Sequence, residues 1–401
     1  MVSDDAVRGG YFGWKVAWAA FLLAAFAWGV GFYGLSVFLR TLHAERGWAI
    51  STISAAITVQ YLFSAVLVAY LPEAHRRWGV ARVTEWGIAA AALGILAWSN
   101  AQAPWQLFPA ALIAGAGWAA TSGAAINAIV APWFDKDRPR ALSLAFNGAS
   151  IGGLVLTPLW VALIDALGFA PAAVVIAVAM VAILLPVSVG YLRPQPNLAD
   201  GTINAASRPA MNRAALLRDR RFVTISAAFA LGLFAQIGLI AHLLTRLAPD
   251  FGPAGAAWAI SLASVCAVVG RSVLGWTIGE GSRRKAAVIN LLVQACGTLL
   301  LTVGAGIPTL LIGCVLFGLG LGNLVSLPPL IIQREFAAGD VSRAVALVIA
   351  INQAAFAFAP GVLGALRDLG GSYTLPFAIA MAIQLIAAMI VAIRPAAAGR
   401  R

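Results

Sequence analysis

The stretch Ser261-Leu-Ala-Ser-Val-Cys-Ala-Val-Val-Gly-Arg271-Ser-Val-Leu-Gly-Trp276 is small or apolar throughout except for one arginine. The surrounding run from Ala254 to Gly279 is long enough to cross a bilayer as a helix and carries no other charge. Arg271 lies nine residues from Glu280, roughly 13 Å along a helix and so near the middle of a ~30 Å hydrocarbon layer. A guanidinium at that depth costs about 3 kcal/mol or more, so it belongs on a face turned to protein or to a wet cavity. Ser261, Ser264, Val268 and Gly275 share that face as a narrow stripe. The planar fork suits a carboxylate; the competing reading is a structural pairing with a buried acid or with helix-end carbonyls.

The rest of the chain supplies more such helices. Of its 401 residues 61% are hydrophobic and 10% charged, with mean hydropathy +0.90, which indicates a polytopic membrane protein and excludes a soluble enzyme. Twelve spans are expected, over 14-39, 51-71, 83-99, 107-131, 141-164, 172-192, 222-245, 254-279, 286-304, 308-332, 344-366 and 375-393. The first, from Trp14, is too long for a signal-peptide core. Cys266, Cys296 and Cys314 lie inside spans in neither a metal nor a disulfide pattern, so no metal or cofactor is expected, and no nucleophile elbow suggests catalysis.

A net charge of +12 would point to nucleic acid in a soluble chain, but its distribution points to a lipid bilayer. With a cytoplasmic N-terminus, the Lys and Arg residues gather in the inside segments; only Arg40, Arg46, Arg246 and Arg367 fall outside, and Arg271 lies within a span. This bias predicts both termini in the cytoplasm and a multi-pass protein of the cell's inner (plasma) membrane, with no nucleic-acid partner. The acids occupy loops and span ends, Glu85 beside Arg82 at i−3 being the expected structural pair. No acid is expected at the depth of Arg271, which makes the ligand its expected counter-ion.

Between the sixth and seventh spans, Arg193 to Arg221 is polar and rich in Pro and Arg. It divides the chain into a bundle over 1-192, a cytoplasmic linker over 193-221 and a second bundle over 222-401. The halves repeat at an offset of about 203: Gly115-Ala-Gly117 matches Gly318-Leu-Gly320, Arg140-Ala141 matches Arg343-Ala344, and Pro158 matches Pro360. The expected fold is all-α, twelve transmembrane helices in two six-helix bundles related by a pseudo-twofold axis along the membrane normal, with ligand where the halves meet. The glycines of Gly318-Leu-Gly320-Leu-Gly322 lack the strand and Gly-Lys-Ser/Thr of a phosphate loop and read as close-packing positions.

Amides at depth extend the candidate site. Asn352 and Asn323 lie about 13–15 Å from the basic ends of their spans and Asn127 about 12 Å from its own; each either bridges helices or meets a ligand. Gln353 is turned about 100° from Asn352 and lines the same cavity only if that helix is broadly exposed to it. Tyr33, in the outer half of the first span, reads as lining or as an interfacial anchor. His242, near the outer end of the seventh, is a candidate proton or gating residue, or a polar residue at the water interface.

Particular stretches also resemble a known family. Arg76-Arg-Trp-Gly79-Val-Ala-Arg82, after the second span, and Gly275-Trp-Thr-Ile-Gly-Glu-Gly-Ser-Arg283-Arg284, after the eighth, look like degraded copies of the major facilitator loop motif. The motif's opening glycine is Pro72 in the first copy and its acid is Arg76; in the second the acid is Gly279. The join Trp133-Phe134-Asp-Lys-Asp-Arg-Pro-Arg140, continuing through Asn147 to Pro158, resembles the monocarboxylate porter and oxalate–formate antiporter branch, as do Gly13-Trp14 and Gly270-Arg271.

In that branch the span-8 arginine binds the substrate carboxylate. The second cation of oxalate-type members corresponds to Asn352 here, which implies one carboxylate per substrate. The aspartate four residues before the arginine in animal carriers corresponds to Ala267, so their proton-coupling chemistry does not carry over. The resemblance also places the ninth and twelfth spans, with Asn290, Gln294 and Gln384, at the periphery. It implies a monomeric secondary active transporter, not an enzyme, moving a small organic anion, a monocarboxylate, by alternating access, with a co-transported proton as a further candidate partner. The alternatives are an organic anion exchanger of oxalate–formate type and a drug or metabolite exporter on the same fold.

Overall fold

The structure, a computed structural model, describes residues 11–194, 211–279, 281–304 and 306–393. A lipid environment offers no partner to backbone N–H and C=O groups, so spanning segments must satisfy them within helices. Twelve helices among the described residues are long and apolar enough to cross a membrane. They are α1 (Phe12–Arg46), α2 (Ile50–Trp78), α3 (Val80–Asn100), α4 (Pro104–Trp133), α5 (Arg138–Leu167), α6 (Phe169–Leu192), α7 (Arg220–Gly252), α8 (Trp258–Thr277), α9 (Arg283–Val303), α10 (Ile307–Glu335), α11 (Ala338–Gly370) and α12 (Thr374–Ala392).

The chain divides into two compact units, Met1–Asn204 and Ala205–Arg401. Of the expected 193-221 linker, residues 195–210 lie outside the described residues, and the remainder includes a short helix, Arg213–Arg218, capped by the Asn212 side chain. The α7–α8 connection is a kink at Gly252, whose φ of 69° and ψ of 165° favour a residue without Cβ.

Glycine positions fix the helix packing within each unit. A Cβ on Gly152 of α5 would meet the Ala25 carbonyl of α1 at 2.1 Å, and one on Gly270 of α8 would meet the Leu319 carbonyl of α10 at 2.0 Å. The Gly115/Gly318 repeat has a common geometry in the two units. Gly115 abuts the Gln60 carbonyl of α2, as Gly318 abuts Ala263 of α8; Gly117 abuts Ala91 of α3, as Gly320 abuts Gln294 of α9. These approaches are what a small-residue pattern provides where lipid supplies no hydrophobic drive between helices.

Four spans are interrupted: α1 at Phe32, α4 at Ser122, α10 at Gly322 and α11 around Ala357 and Phe358. Side chains from neighbouring helices donate to carbonyls at two of these points. Tyr61 Oη bonds Gly31 O at 3.1 Å, and Arg271 Nε bonds Gly322 O at 3.1 Å. Such capture is what permits broken backbone away from water.

At the helix ends the charges pair, and one expected pair is replaced. Glu85 engages Arg193, at 3.0 and 3.1 Å, not Arg82, because the end of α6 brings a guanidinium into fork-to-fork register with it. The hydrogen bonds and charge of Glu85 raise the Arg193 guanidinium above its ordinary pKa. In the second unit Arg284, 4% exposed, is clasped by Glu335 at 2.6 and 2.7 Å and also donates to Thr224 and to the Ile393 carbonyl.

Candidate functional site

Arg271 lies six residues, or about 9 Å, before the end of α8 at Thr277, in the half of the helix nearer that end. It is 4% exposed. Its Nε–H donates to the carbonyl at the α10 break, and Gly322 packs so closely that a Cβ there would lie 2.1 Å from Nη2. Of the two sequence readings for this arginine, helix-end carbonyl pairing therefore describes one of its donors. The acids Glu85, Asp219, Asp250 and Glu335 are taken up by Arg193, Arg221, Arg246 and Arg284.

Asn323, the residue after the break, is 4% exposed and bridges helices: its Nδ2 donates to Asn290 Oδ1 at 2.8 Å and to Leu319 O at 3.2 Å. Asn290 passes the chain on to Gly320 O at 3.2 Å. Arg271 and Asn323 are thus brought together at one break, Arg271 on its carbonyl and Asn323 anchored beside it. Asn352 and Gln353, 3% and 2% exposed, lie on α11 shortly before its interruption, and Asn352 Oδ1 is a buried acceptor with no partner among the described residues.

In the first unit, Tyr33 directly follows the α1 break and its ring lies against Gly153 of α5. Asn127, 5% exposed, lies on the short helix Gly123–Val130 that follows the α4 break. Around the α1 break Trp28, Phe32, Tyr61 and Trp118 form an aromatic cluster, Trp28 meeting Trp118 edge-on at 4.9 Å and Phe32 stacking on Trp118 at 6.4 Å. Each candidate substrate-binding residue therefore lies at, near or bonded to a helix interruption.

His242 has a different setting. Its Nε2–H donates to the Pro360 carbonyl at 2.9 Å, and its ring lies 5.6 Å from that of Tyr373, which ties α7 to α11 and α12 within the second unit.

The residues assigned to the periphery take part in two buried polar networks of the second unit, Asn290 in that of Asn323 and the two glutamines in one with Gln236 and Thr298. Gln294 and Gln384 are fully buried and Asn290 is 7% exposed. Gln294 Nε2 donates to Gln236 Oε1 at 2.9 Å, Gln384 Nε2 to Gln294 Oε1 at 3.4 Å, and Thr298 Oγ1 to Gln384 Oε1 at 2.9 Å. Their spacing carried the signal: Asn290, Gln294 and Thr298 recur at intervals of four, one face of α9. Among the described residues no cluster of His, Cys, Asp or Glu is suited to hold a metal.

Comparison with known proteins places this architecture. The model of the Major Facilitator Superfamily matches residues 17–278 and 234–400. The chain is 28% identical to rat monocarboxylate transporter 13 over 398 residues, covering 96% of this chain and 89% of that protein. It is 26% identical to human monocarboxylate transporter 11 over 413 residues, covering 95% and 82%. Among solved structures, the human organic anion transporter MFSD10 (TETRAN) superposes with a TM-score of 0.73 at 17% identity, covering 95% of this chain and 99% of that one. The E. coli fucose:proton symporter FucP gives 0.66 at 18%, covering 94% and 99%. A twelve-helix chain of two compact units, matched along its length by this family's model and related to monocarboxylate transporters, is a membrane transporter belonging to the Major Facilitator Superfamily.

Proposed function

We propose that the protein is a secondary active transporter of a small organic monocarboxylate, working by alternating access, with Arg271 as the carboxylate anchor. The observation that carries this reading is a guanidinium 4% exposed in an apolar helix and fixed by the carbonyl of a broken neighbour. Arginine presents five donors in a rigid fork, and such a group on low-dielectric walls attracts an anion strongly. The relatives named as monocarboxylate transporters, and the organic anion transporter of like fold, support the same substrate class. Asn352 presents a buried acceptor, the polar complement for a hydroxyl or a protonated group of the cargo. Asn323 acts through its neighbours, holding the α10 break in place. Tyr33 and Asn127, each beside a helix break of the first unit, are further candidate substrate-binding residues, and His242 is assigned to anchoring helix ends ahead of proton transfer.

Uptake of radiolabelled pyruvate, lactate and longer monocarboxylates into proteoliposomes tests the assignment. Arg271→Gln is expected to abolish saturable uptake while the variant remains folded by its melting profile, and Arg271→Lys to leave a small residue of it, since a point charge cannot replace the fork. Saturable uptake unchanged in Arg271→Gln removes the assignment.

A further inference from the structure

We propose that a crevice at one end of the first unit, distinct from the Arg271 site, binds the phosphate of an anionic phospholipid headgroup. A cavity of about 510 Å³ opens where the α2–α3 turn meets the ends of α4 and α6, lined by Trp78, Gly79, Arg82, Pro132, Trp133 and Arg193 among others. That volume lies in the range of small-ligand pockets. Arg82 is exposed and has no hydrogen bond or ion pair among the described residues. Arg193 is held in place by Glu85, which also accepts from Ser188 at 3.5 Å, and its side chain remains 55% exposed. Two guanidinium groups and one carboxylate leave the crevice with a net positive charge, and the phosphate of a lipid is the anion that membrane proteins meet at this level.

The surroundings favour a lipid over a water-borne phosphate. Trp78 and Trp86, 41% and 54% exposed, meet edge-on at 5.5 Å beside the α2–α3 turn. On the other side Phe12 packs against Trp133 at 5.3 Å and Tyr191 at 6.2 Å, with Tyr191 39% exposed. Exposed aromatic rings at helix ends are the composition of a headgroup layer, where one edge of the ring is wet and the body lies against acyl chain. The basic loops at this end are the ones whose charge bias predicts a cytoplasmic position, the side on which anionic lipids attract Lys and Arg. Arg82 is thus a headgroup ligand, and Arg193 a second one positioned by Glu85.

The full chain in detergent provides the test, by thermal shift and by lipid retention in native mass spectrometry. Short-chain phosphatidylglycerol is expected to raise the melting temperature and to remain bound. Phosphatidylcholine of equal chain length, and glycerol 3-phosphate at equal concentration, are expected to do neither. Arg82→Gln should weaken the phosphatidylglycerol effect about fivefold or more in concentration while its lipid-free melting temperature stays near the parent's, and Arg82→Lys should restore most of it. Equal stabilisation by phosphatidylcholine overturns the headgroup reading, and so does a response to glycerol 3-phosphate, which would mark a site for soluble anions. An undiminished lipid effect in Arg82→Gln overturns the placement. None of these outcomes bears on Arg271, whose uptake assay is separate.

Discussion

Replacing Gly322 by alanine asks whether the position of the Arg271 guanidinium, and not only its charge, matters to transport. The Gly322 backbone is helical, φ −78° and ψ −19°, so alanine brings no conformational strain of its own. Its methyl would sit 2.1 Å from Nη2, 2.4 Å from Cζ and 2.6 Å from Nε of Arg271. Ordinary van der Waals separation begins near 3.4 Å, so the guanidinium must retreat by about 1.3 Å. At 4% exposure there is little space to retreat into, and the 3.1 Å bond to the Gly322 carbonyl is the first interaction to break. A hydrogen bond from a charged donor contributes about 1.5–3 kcal/mol. A misplacement near 1 Å in a positioned group costs on the order of 10²-fold in rate. Carboxylate uptake into proteoliposomes should therefore fall roughly 10- to 100-fold with the arginine still present, and the melting temperature should drop only modestly because the displaced atoms end a flexible side chain. Uptake within about twofold of the parent would refute the idea that Arg271 acts from this pose.

Other substitutions separate packing from chemistry. Gly152→Ala drives a Cβ to 2.1 Å from the Ala25 carbonyl, where no rotamer gives relief, and should destabilise the first unit by about 1–3 kcal/mol in thermal unfolding; an unchanged melting temperature would mean that α1 and α5 part freely. Glu335→Gln removes the clasp on buried Arg284 and should cost about 3 kcal/mol, the low end for a broken buried pair because Thr224 and the Ile393 carbonyl still hold the guanidinium. For Asp219, which caps α7, burial alone would raise the carboxyl pKa, yet the hydrogen bonds and charge of Arg221 outweigh it and hold the group below its ordinary value. Its contribution is present above the unfolded value of about 4 and is lost as pH falls through the folded value, so Asp219→Asn should flatten the acid-side decline in melting temperature. Identical acid profiles would exclude that role.

Hydropathy made the spans legible, because a segment without a charge for twenty residues has few other fates in water or lipid. The helices run past those apolar windows, α1 reaching Arg46 and α3 starting at Val80, since helix continues into the headgroup layer where hydropathy no longer marks it. The interruptions are only partly legible, Pro360 standing just after the one in α11. Pro158 and Pro186 lie inside continuous helices, whereas α1 breaks at Phe32 with no proline near it. Long-range pairing was hidden: Arg82 is the sequence neighbour of Glu85, but Arg193, more than a hundred residues on, presents the better fork. The depth argument for Arg271 identified a residue that is buried, while its carbonyl partner depended on a break in a different helix. In α9 the intervals of four between Asn290, Gln294 and Thr298 mark a buried face that the family layout does not predict, whereas the single buried amide of α12, Gln384, carries no such pattern.

The glutamine and threonine ladder across α7, α9 and α12 has a consequence for motion inside the second unit. Sliding any of these helices by one residue would strand amide groups in hydrocarbon-like surroundings, at about 1–3 kcal/mol for each orphaned donor or acceptor. The ladder thus acts as a register key: these three helices keep step, and whatever rearrangement accompanies transport leaves their alignment intact. Gln294→Leu alone should therefore lower the melting temperature more than the triple change of Gln236, Gln294 and Gln384 to leucine, because the single change strands two amides, whereas the triple change frees only the Thr298 hydroxyl, which keeps the Gln294 carbonyl as an acceptor.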